Sequence, residues 1–322
     1  MPFDHIQSTV PPFPIEHDNR HKLHDAPHAR EAIALMLQLP ERGIAGFIYP
    51  WINADGTASA SISLFGPGLE EPIQERFEEV AVPQEMDFYD WQVRGLQFRI
   101  EEEHRVATYR FDGPRVKIDC RFEAFHPVYP FSAHPEGCPR YYADDRTEQH
   151  GWINGSMEID GDPFDFRSLG QRDHSWGARI WGLNQHYKWF HATTDVAALH
   201  FFEMQSFGTW HVRGFVYKDE QMAQVTEVEC RYLFDDNMHH DLVAARLTDD
   251  LGRKTEVQAK VYAKFQFEAD PKIVLNEGGI TVEIEGRQGT GWCEFCWNRD
   301  YFDFAKQHVR QYPPFSSLSF AA

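Results

Sequence analysis

The 322-residue sequence contains no apolar run that approaches the roughly 18 residues of a membrane-spanning helix. Its N-terminal residues also lack the basic segment and the apolar segment that together form a secretory signal. The five cysteines are odd in number and mostly scattered, which is typical of reduced thiols rather than of a disulfide framework. We therefore expect a cytoplasmic protein without a membrane span.

Positive charge is also scarce in this sequence. There are 31 Lys and Arg residues against 50 Asp and Glu residues, which gives a net charge of −19. Because a strongly negative protein repels phosphate backbones, we expect no nucleic-acid partner. The hydrophobic content of 42% and the aromatic content of 15% instead predict a globular protein with a sizeable core.

The short motifs of several enzyme classes are missing. The sequence has no Gly-x-x-x-x-Gly-Lys-Ser/Thr phosphate loop, no Gly-x-Gly-x-x-Gly turn, no Gly-x-Ser-x-Gly elbow and no His-Glu-x-x-His motif. Cys293 and Cys296 form a lone Cys-x-x-Cys, and no second pair completes a zinc set. We therefore expect neither a cofactor nor a metal site.

One helix is predicted near the N-terminus. The first 28 residues are rich in proline and histidine and predict an extended arm. Within this arm, Asp25 is placed to cap a helix and Pro27 suits its first turn, while Pro40 would end it. The run between them, REAIALMLQL, has apolar residues at helical spacing and predicts a helix from Arg30 to Leu39.

From Gly43 onward, short β-rich runs alternate with turn sequences such as Asn-Ala-Asp-Gly and Asp-Gly-Pro. Residues 280–285 (ITVEIE) alternate strictly, which places the aliphatic side chains on one face and the polar side chains on the other. Strands at this spacing, with few helices, are typical of an antiparallel sandwich or barrel. The predicted fold class is therefore all-β.

The most informative segment is residues 169–181 (LGQRDHSWGARIW). On an extended backbone, Arg172, His174 and Trp176 share one face, and Asp173 lies on the other. Gly170 and Gly177 could introduce a bulge that relaxes this rule. Two interpretations stay open at this point, namely a catalytic group and a buried Arg/Asp network that fixes the strands.

A second polar signal is Glu203, which stands in the apolar run HFFEMQSF. A carboxylate in such a run is either ion-paired or has a raised pKa. For an ion pair, the candidate partners are Arg172, Arg179 and Arg213.

Three segments together resemble the carotenoid 1,2-hydratase and AttH-like lipocalin-type superfamily. They are EQH at residues 148–150, GSMEIDG at 155–161 and GQRDHSWG at 170–177, with RDHSWG the most specific, and GWCEFCW at 291–297 looks like the family's closing strand. The resemblance implies two lipocalin-like antiparallel β-barrel domains, an apolar pocket near their junction and no required cofactor. We assign residues 1–40 to the arm and helix, 41–168 to the first domain and 169–322 to the second.

Members of that superfamily include hydratases of isoprenoid double bonds and cyclases, so the fold alone does not set the reaction. The leading hypothesis is a cofactor-independent hydro-lyase that adds water to, or removes it from, a small hydrophobic terpenoid-like or polycyclic substrate. In this hypothesis, Asp173 and His174 are the acid/base pair and Arg172 positions them. The predicted substrate-binding residues are Trp176, Trp181, His191 and Glu203.

Two alternatives use the same pocket. The protein could carry an apolar metabolite without converting it, as roomy lipocalin barrels do. It could also be an isomerase or a cyclase that transfers no water. The sequence does not separate these functions, and it leaves the oligomeric state open.

Overall fold

The computed structural model describes residues 3–24, 26 and 28–320, and it consists almost entirely of β-strands. In chain order the strands are β1 (Gln7–Ser8), β2 (Ala29–Leu39), β3 (Ile44–Asn53), β4 (Thr57–Phe65), β5 (Ile73–Arg76), β6 (Val80–Ala81), β7 (Trp91–Val93), β8 (Leu96–Glu102), β9 (Val106–Asp112), β10 (Val116–Ala124), β11 (Tyr129–Pro130), β12 (Asp145–Ile159), β13 (Asp162–Ala178), β14 (His186–Thr193), β15 (Ala197–Ser206), β16 (Thr209–Lys218), β17 (Gln221–Phe234), β18 (His240–Asp249), β19 (Lys254–Phe267), β20 (Ile273–Ile284) and β21 (Arg287–Asn298). The helix α1 (Arg299–Ala305) follows the last strand, and short 3-10 turns span Ile15–Asp18, Pro40–Arg42, Phe131–Ala133 and Trp181–Leu183. The predicted all-β class is confirmed.

The strands form two sheets. The first sheet has the order β5-β4-β3-β2-β13-β12-β10-β9-β8-β7, with β6 and β11 paired at its side. The second sheet has the order β1-β17-β16-β15-β14-β21-β20-β19-β18, and the pairing of β17 with β18 closes it into a barrel. In the described part of the chain, no helix is long and apolar enough to cross a membrane.

The predicted helix from Arg30 to Leu39 is wrong, because this segment is strand β2. The strand lies between β3 and β13, and its odd-numbered aliphatics Ile33 and Leu35 face a different core from Ala34 and Met36. Since both faces are buried, the sequence lacks polar alternation, and its helix-forming residues are overridden by sheet pairing. The expected cap and first-turn residues, at positions 25 and 27, lie outside the described residues.

Hydrophobic cores fill each curled sheet and the space between the sheets. Strands β2 to β10 enclose the first core, and strands β14 to β21 contribute to the second. A third cluster joins residues of both sheets, such as Met36 and Phe47 from the first and Tyr187 and Phe202 from the second. This junction is the place where side chains from the two sheets meet.

Strand β13 belongs to the first sheet over its whole length, since it pairs with β12 and β2. The boundary assigned between residues 168 and 169 falls inside this strand. The chain changes sheet between Ala178 and His186, through the turn Trp181–Leu183. The N-terminal arm contributes to both units, because β1 pairs with β17 while Asp18 enters the first sheet's interior.

The arm is anchored by a buried ion pair between Asp18 and Arg172. Asp18 also accepts a hydrogen bond of 2.7 Å from the backbone N–H of His104. Burial alone would raise the pKa of Asp18, but the charge of Arg172 and the bonds from Arg172 and His104 hold it below its usual value. The pair therefore fastens the arm to strand β13.

We expect Asp18→Ala to lower the free energy of unfolding by about 3–5 kcal/mol, because Arg172 would stay buried without its partner. Urea denaturation of both proteins measures this difference. Glu16→Ala, which changes an exposed carboxylate in the same turn, is the matched control and should shift stability by less than about 0.5 kcal/mol. Equal effects of the two substitutions would contradict the anchoring role.

Candidate functional site

The site residues predicted on strand β13 lie on opposite faces of the first sheet. Its register with β12 is continuous from Asp145 paired with Trp176 to Ile159 paired with Asp162, so the alternation persists along the strand. His174 therefore points into the first sheet's interior, whereas Asp173 points toward the second sheet. The structure does not bring Asp173 and His174 together at one reacting centre.

The interior face of β13 forms a packed polar network. His174 Nε2 and His21 Nδ1 each lie 2.7 Å from Glu31 Oε1, and the His21 ring stacks on Trp176 with a centroid distance of 3.7 Å. Burial lowers the pKa of His174, although its bond to Glu31 opposes this effect. Arg172 and His174 thus have the contacts of a buried polar network that holds strands together, which was one of the two interpretations of this segment.

The other face of β13 borders a cavity of about 350 Å³ between the two sheets. Its lining includes Asp173 and Trp181 among the residues predicted from sequence. Arg172, His174, Trp176, His191 and Glu203 do not belong to this lining. The cavity lies near the junction of the sheets, where a pocket was expected. The expected pocket was apolar, whereas this lining includes charged side chains beside the aromatic rings. The lining contains carboxyl groups, arginines and aromatic rings, among them Asp173, Glu277, Glu294, Arg146, Arg179, Phe47, Tyr49, Tyr142, Trp181, Tyr187 and Trp189.

Asp173 has one bonded and one free carboxyl oxygen. Its Oδ2 accepts a hydrogen bond of 2.7 Å from Arg146, while its Oδ1 is buried and has no hydrogen-bond partner among the described residues. Burial raises the pKa of Asp173 to about 7; Arg146 opposes this rise, and the nearby charge of Glu148 adds to it. Arg172 does not pair with Asp173, because it lies on the opposite face of the strand and binds Asp18.

Two further carboxyl groups, Glu277 and Glu294, line the cavity side by side. They are cross-strand partners on β20 and β21. Glu277 Oε2 accepts a hydrogen bond of 2.8 Å from the indole of Trp292, and Glu294 accepts one from the hydroxyl of Tyr187. Burial, together with the charge of its neighbour, raises the pKa of Glu277 well above its usual value, and burial also raises that of Glu294.

Sequence reasoning gave no role to Glu277, although a usable signal existed. Glu277 interrupts the apolar run IVLNEGGI in the same way that Glu203 interrupts its own run. Glu203 instead pairs with Lys188 at 2.6 Å, so the three arginine partners considered for it are wrong. The pattern identifies buried carboxylates but does not tell which of them faces a cavity.

Four of the described arginines line this cavity, namely Arg30, Arg76, Arg146 and Arg179, and the charges of the last two act on Asp173. Arg146 donates from its Nε to Glu148 at 2.5 Å in addition to holding Asp173. Arg179 donates to Ser175 Oγ at 2.9 Å, and its guanidinium lies over the rings of Tyr142 and Trp181 at 4.5 and 5.2 Å. The cavity therefore combines proton-holding carboxyl groups with donors that could bind a substrate oxygen.

A family model described as "Domain of unknown function (DUF7064)" matches residues 14–299. The chain belongs to this family. A comparison with curated protein sequences finds no match.

Several solved structures share the fold of this DUF7064 protein. A protein assigned as an AttH (NE1406) from Nitrosomonas europaea has a TM-score of 0.61 at 14% identity, covering 83% of this chain and 92% of that one. CghA, solved with Sch210972, has a TM-score of 0.60 at 12% identity, with 84% and 88% covered. Kievitone hydratase from Nectria haematococca has a TM-score of 0.55 at 10% identity, with 83% and 87% covered. The fold expected from the AttH resemblance is thereby confirmed.

The raised pKa of Asp173 makes stability depend on pH. The folded protein retains a proton to about pH 7, whereas the unfolded chain releases it near 3.8, so this stabilisation is complete below pH 3.8 and is lost as the pH rises through 7. Asp173→Asn removes the titration. We expect the wild type to lose stability relative to this variant across that window, measured by urea denaturation. A difference that stays constant with pH would contradict the raised pKa.

Proposed function

We propose that this protein is a hydratase or dehydratase that acts on a carbon–carbon double bond or tertiary alcohol of a small hydrophobic substrate, terpenoid-like or polycyclic. The observation that carries the proposal is the buried Asp173 Oδ1, which borders the cavity without a hydrogen-bond partner. A carboxyl group with a pKa of about 7 can donate or accept a proton near neutral pH. Kievitone hydratase, which shares the fold, lends support at the level of the reaction class.

In the hydration direction, Asp173 donates its proton to one alkene carbon. The oxygen of a water molecule forms a bond to the other carbon, and the water proton passes to the carboxylate of the Glu277–Glu294 pair. Dehydration is the reverse, with Asp173 taking a proton from carbon while the glutamate pair protonates the leaving hydroxyl. Return of the proton between these groups and solvent restores the starting state, so no external reductant or oxidant takes part.

The remaining lining residues bind the substrate in this proposal. The rings of Tyr142, Trp181 and Trp189 offer apolar surface and faces that stabilise a developing positive charge on carbon. Arg146 and Arg179 favour a substrate that carries an oxygen acceptor beside its apolar skeleton. Asp173 and Trp181 thus keep the roles assigned from sequence. Arg172, His174, Trp176, His191 and Glu203 lie outside the cavity lining and have no direct role in this proposal.

A carrier function is the second candidate, favoured by the aromatic lining and by the relative CghA, which was solved with a small molecule. A carrier needs no proton donor, so the cavity carboxyl groups whose pKa is raised, Asp173, Glu277 and Glu294, favour the enzyme. The five cysteines, none of which is paired, are consistent with a reducing compartment, and we propose a cytoplasmic location on this ground.

Isotope exchange separates these functions. The protein is incubated with a panel of monoterpenoid and polycyclic alkenes and tertiary alcohols in water enriched in ¹⁸O and deuterium, and the products are analysed by mass spectrometry. A hydratase incorporates ¹⁸O into the alcohol. An isomerase incorporates deuterium without ¹⁸O, and a carrier binds a compound without either label, so both of those results would reject the proposal.

Asp173→Asn should reduce turnover by about 10²- to 10⁴-fold while substrate affinity stays nearly intact, because the amide keeps the shape of the carboxyl group and cannot transfer its proton. Initial rates and substrate dissociation constants are measured for each protein. The matched control is Asp249→Asn, which alters a buried carboxylate paired with Arg253 outside the cavity and should leave turnover unchanged. Normal turnover by folded Asp173→Asn would remove Asp173 from the mechanism.

A further inference from the structure

A second polar cluster lies at the junction of the two sheets, outside the cavity lining. It consists of Glu148 on β12 of the first sheet and of His191 and His200, which are cross-strand partners on β14 and β15 of the second. All three residues are 0% exposed. Glu148 Oε2 lies 3.4 Å from His191 Nε2, and Glu148 Oε1 lies 3.9 Å from His200 Nε2.

A chain of contacts between buried histidines leads to His191. His126 Nδ1 must donate to the carbonyl oxygen of Pro127, at 2.6 Å, because a carbonyl only accepts. His126 Nε2 is therefore an acceptor; the backbone N–H of His150 donates to it at 3.1 Å, and His150 Nδ1 lies at the same distance from it. With the proton of His150 on Nδ1, His150 Nε2 accepts from His191 Nδ1 at 3.0 Å. The remaining nitrogen, His191 Nε2, carries a lone pair.

His200 reaches the same state by a separate bond. Its Nδ1 donates to the carbonyl oxygen of Phe190 at 3.1 Å, which leaves a lone pair on Nε2. In the described part of the chain, His191 Nε2, His200 Nε2 and Glu148 Oε2 have no hydrogen-bond partner. With Nε2 of both rings unprotonated, three buried acceptors face one another without a donor, an arrangement that costs free energy unless a proton or a metal cation joins them.

We propose that Glu148, His191 and His200 bind one divalent transition-metal ion, with Zn²⁺ as the best chemical match, and that this ion links the two sheets. Two imidazole nitrogens and one carboxylate oxygen form a common zinc ligand set. Ligand atoms bound at about 2.0–2.2 Å in a tetrahedron are separated by about 3.4 Å. Glu148 Oε2 and His191 Nε2 have this separation, and all three ligand atoms lie within 4.8 Å of one another. The bonds from both Nδ1 atoms to other acceptors are the supporting contacts typical of metal-binding histidines.

The surroundings of Glu148 determine which oxygen is available to the metal. Its Oε1 already accepts from Arg146 at 2.5 Å and from the indole of Trp189 at 2.9 Å. The ion would therefore use Oε2. The positive charge of Arg146 opposes cation binding, while Asp173, the second partner of Arg146, offsets part of that charge.

A second cluster of similar composition has its ligand atoms already hydrogen-bonded to one another. His21, Glu31 and His174 also bring three potential ligand atoms within 4.8 Å of one another. In that group, however, the carboxylate of Glu31 already accepts hydrogen bonds from both rings, so its facing atoms are satisfied without an ion. The sequence predicted no metal site because the ligands of the Glu148 cluster are distant in the chain and form no short motif.

Metal content of the full chain tests the proposal. The protein is unfolded with a chelator present, refolded with Zn²⁺ after the chelator is removed, and analysed by native mass spectrometry and elemental analysis. We expect one zinc per chain, and X-ray absorption of the wild type should show about two imidazole ligands. A refolded chain without zinc would overturn the proposal. In that case a proton on His191 Nε2, donated to Glu148, would take the place of the metal.

Variants locate the ion. His191→Gln and His200→Gln should each lower zinc affinity by more than about 100-fold. Loss of a residue that only supports a metal ligand typically lowers the affinity by about 10- to 100-fold, so a larger loss indicates a direct ligand. His240→Gln changes another buried histidine and should retain the metal, as should His174→Gln. Zinc that remains in both cluster variants would assign it elsewhere and overturn the proposal. If these variants fail to fold, the wild-type absorption spectrum decides, because a spectrum without imidazole ligands also overturns it.

The metal proposal and the proposed function can be rejected separately. None of the three ligands lines the cavity, so Asp173→Asn should keep its zinc even where it loses turnover. Failure of the isotope experiment with zinc present would reject the hydratase alone, and a zinc-free active enzyme would reject the metal site alone.

Discussion

The structure depends on one constraint, which is that residues 170–177 of strand β13 are buried on both faces. One face enters the first sheet's core and the other meets the second sheet, so successive residues belong to different environments. Arg172 and His174 consequently anchor the N-terminal arm, and Asp173 alone faces the cavity. A single segment of sequence thus serves both stability and the proposed chemistry.

Arg146 connects the two polar sites at the sheet junction. Its guanidinium binds Glu148 of the proposed metal cluster and Asp173 of the cavity, and all three side chains are buried. In such a low-dielectric setting each charge strongly affects the others. A cation bound to Glu148 would weaken the hold of Glu148 on Arg146 and leave more of that positive charge for Asp173. The occupancy of the cluster and the proton affinity of Asp173 are therefore coupled through one side chain.

Glu148 and Glu277, two glutamates at the junction of the sheets, differ in charge state because their neighbours differ. Glu148 stays ionised, since the opposing charge of Arg146 outweighs the effect of burial and lowers its pKa. Glu277 has Glu294 as its neighbour, so like charge adds to burial and favours the protonated form. Protein environments of this kind allow carboxyl groups within one region to serve as ligand and as acid.

The sequence by itself determined the all-β class, through its turn dipeptides and through alternation such as that of residues 280–285. It also identified Asp173 and Trp181, which lie in a segment rich in charged and aromatic residues. The helix predicted from Arg30 to Leu39 failed because a strand buried on both faces carries no polar alternation. Only the tertiary structure decided which carboxyl groups share the cavity, since Glu277, Glu294 and Asp173 come from distant strands. It alone also placed Glu148 against His191 and His200, because sheet pairing and packing, not spacing along the chain, set those distances.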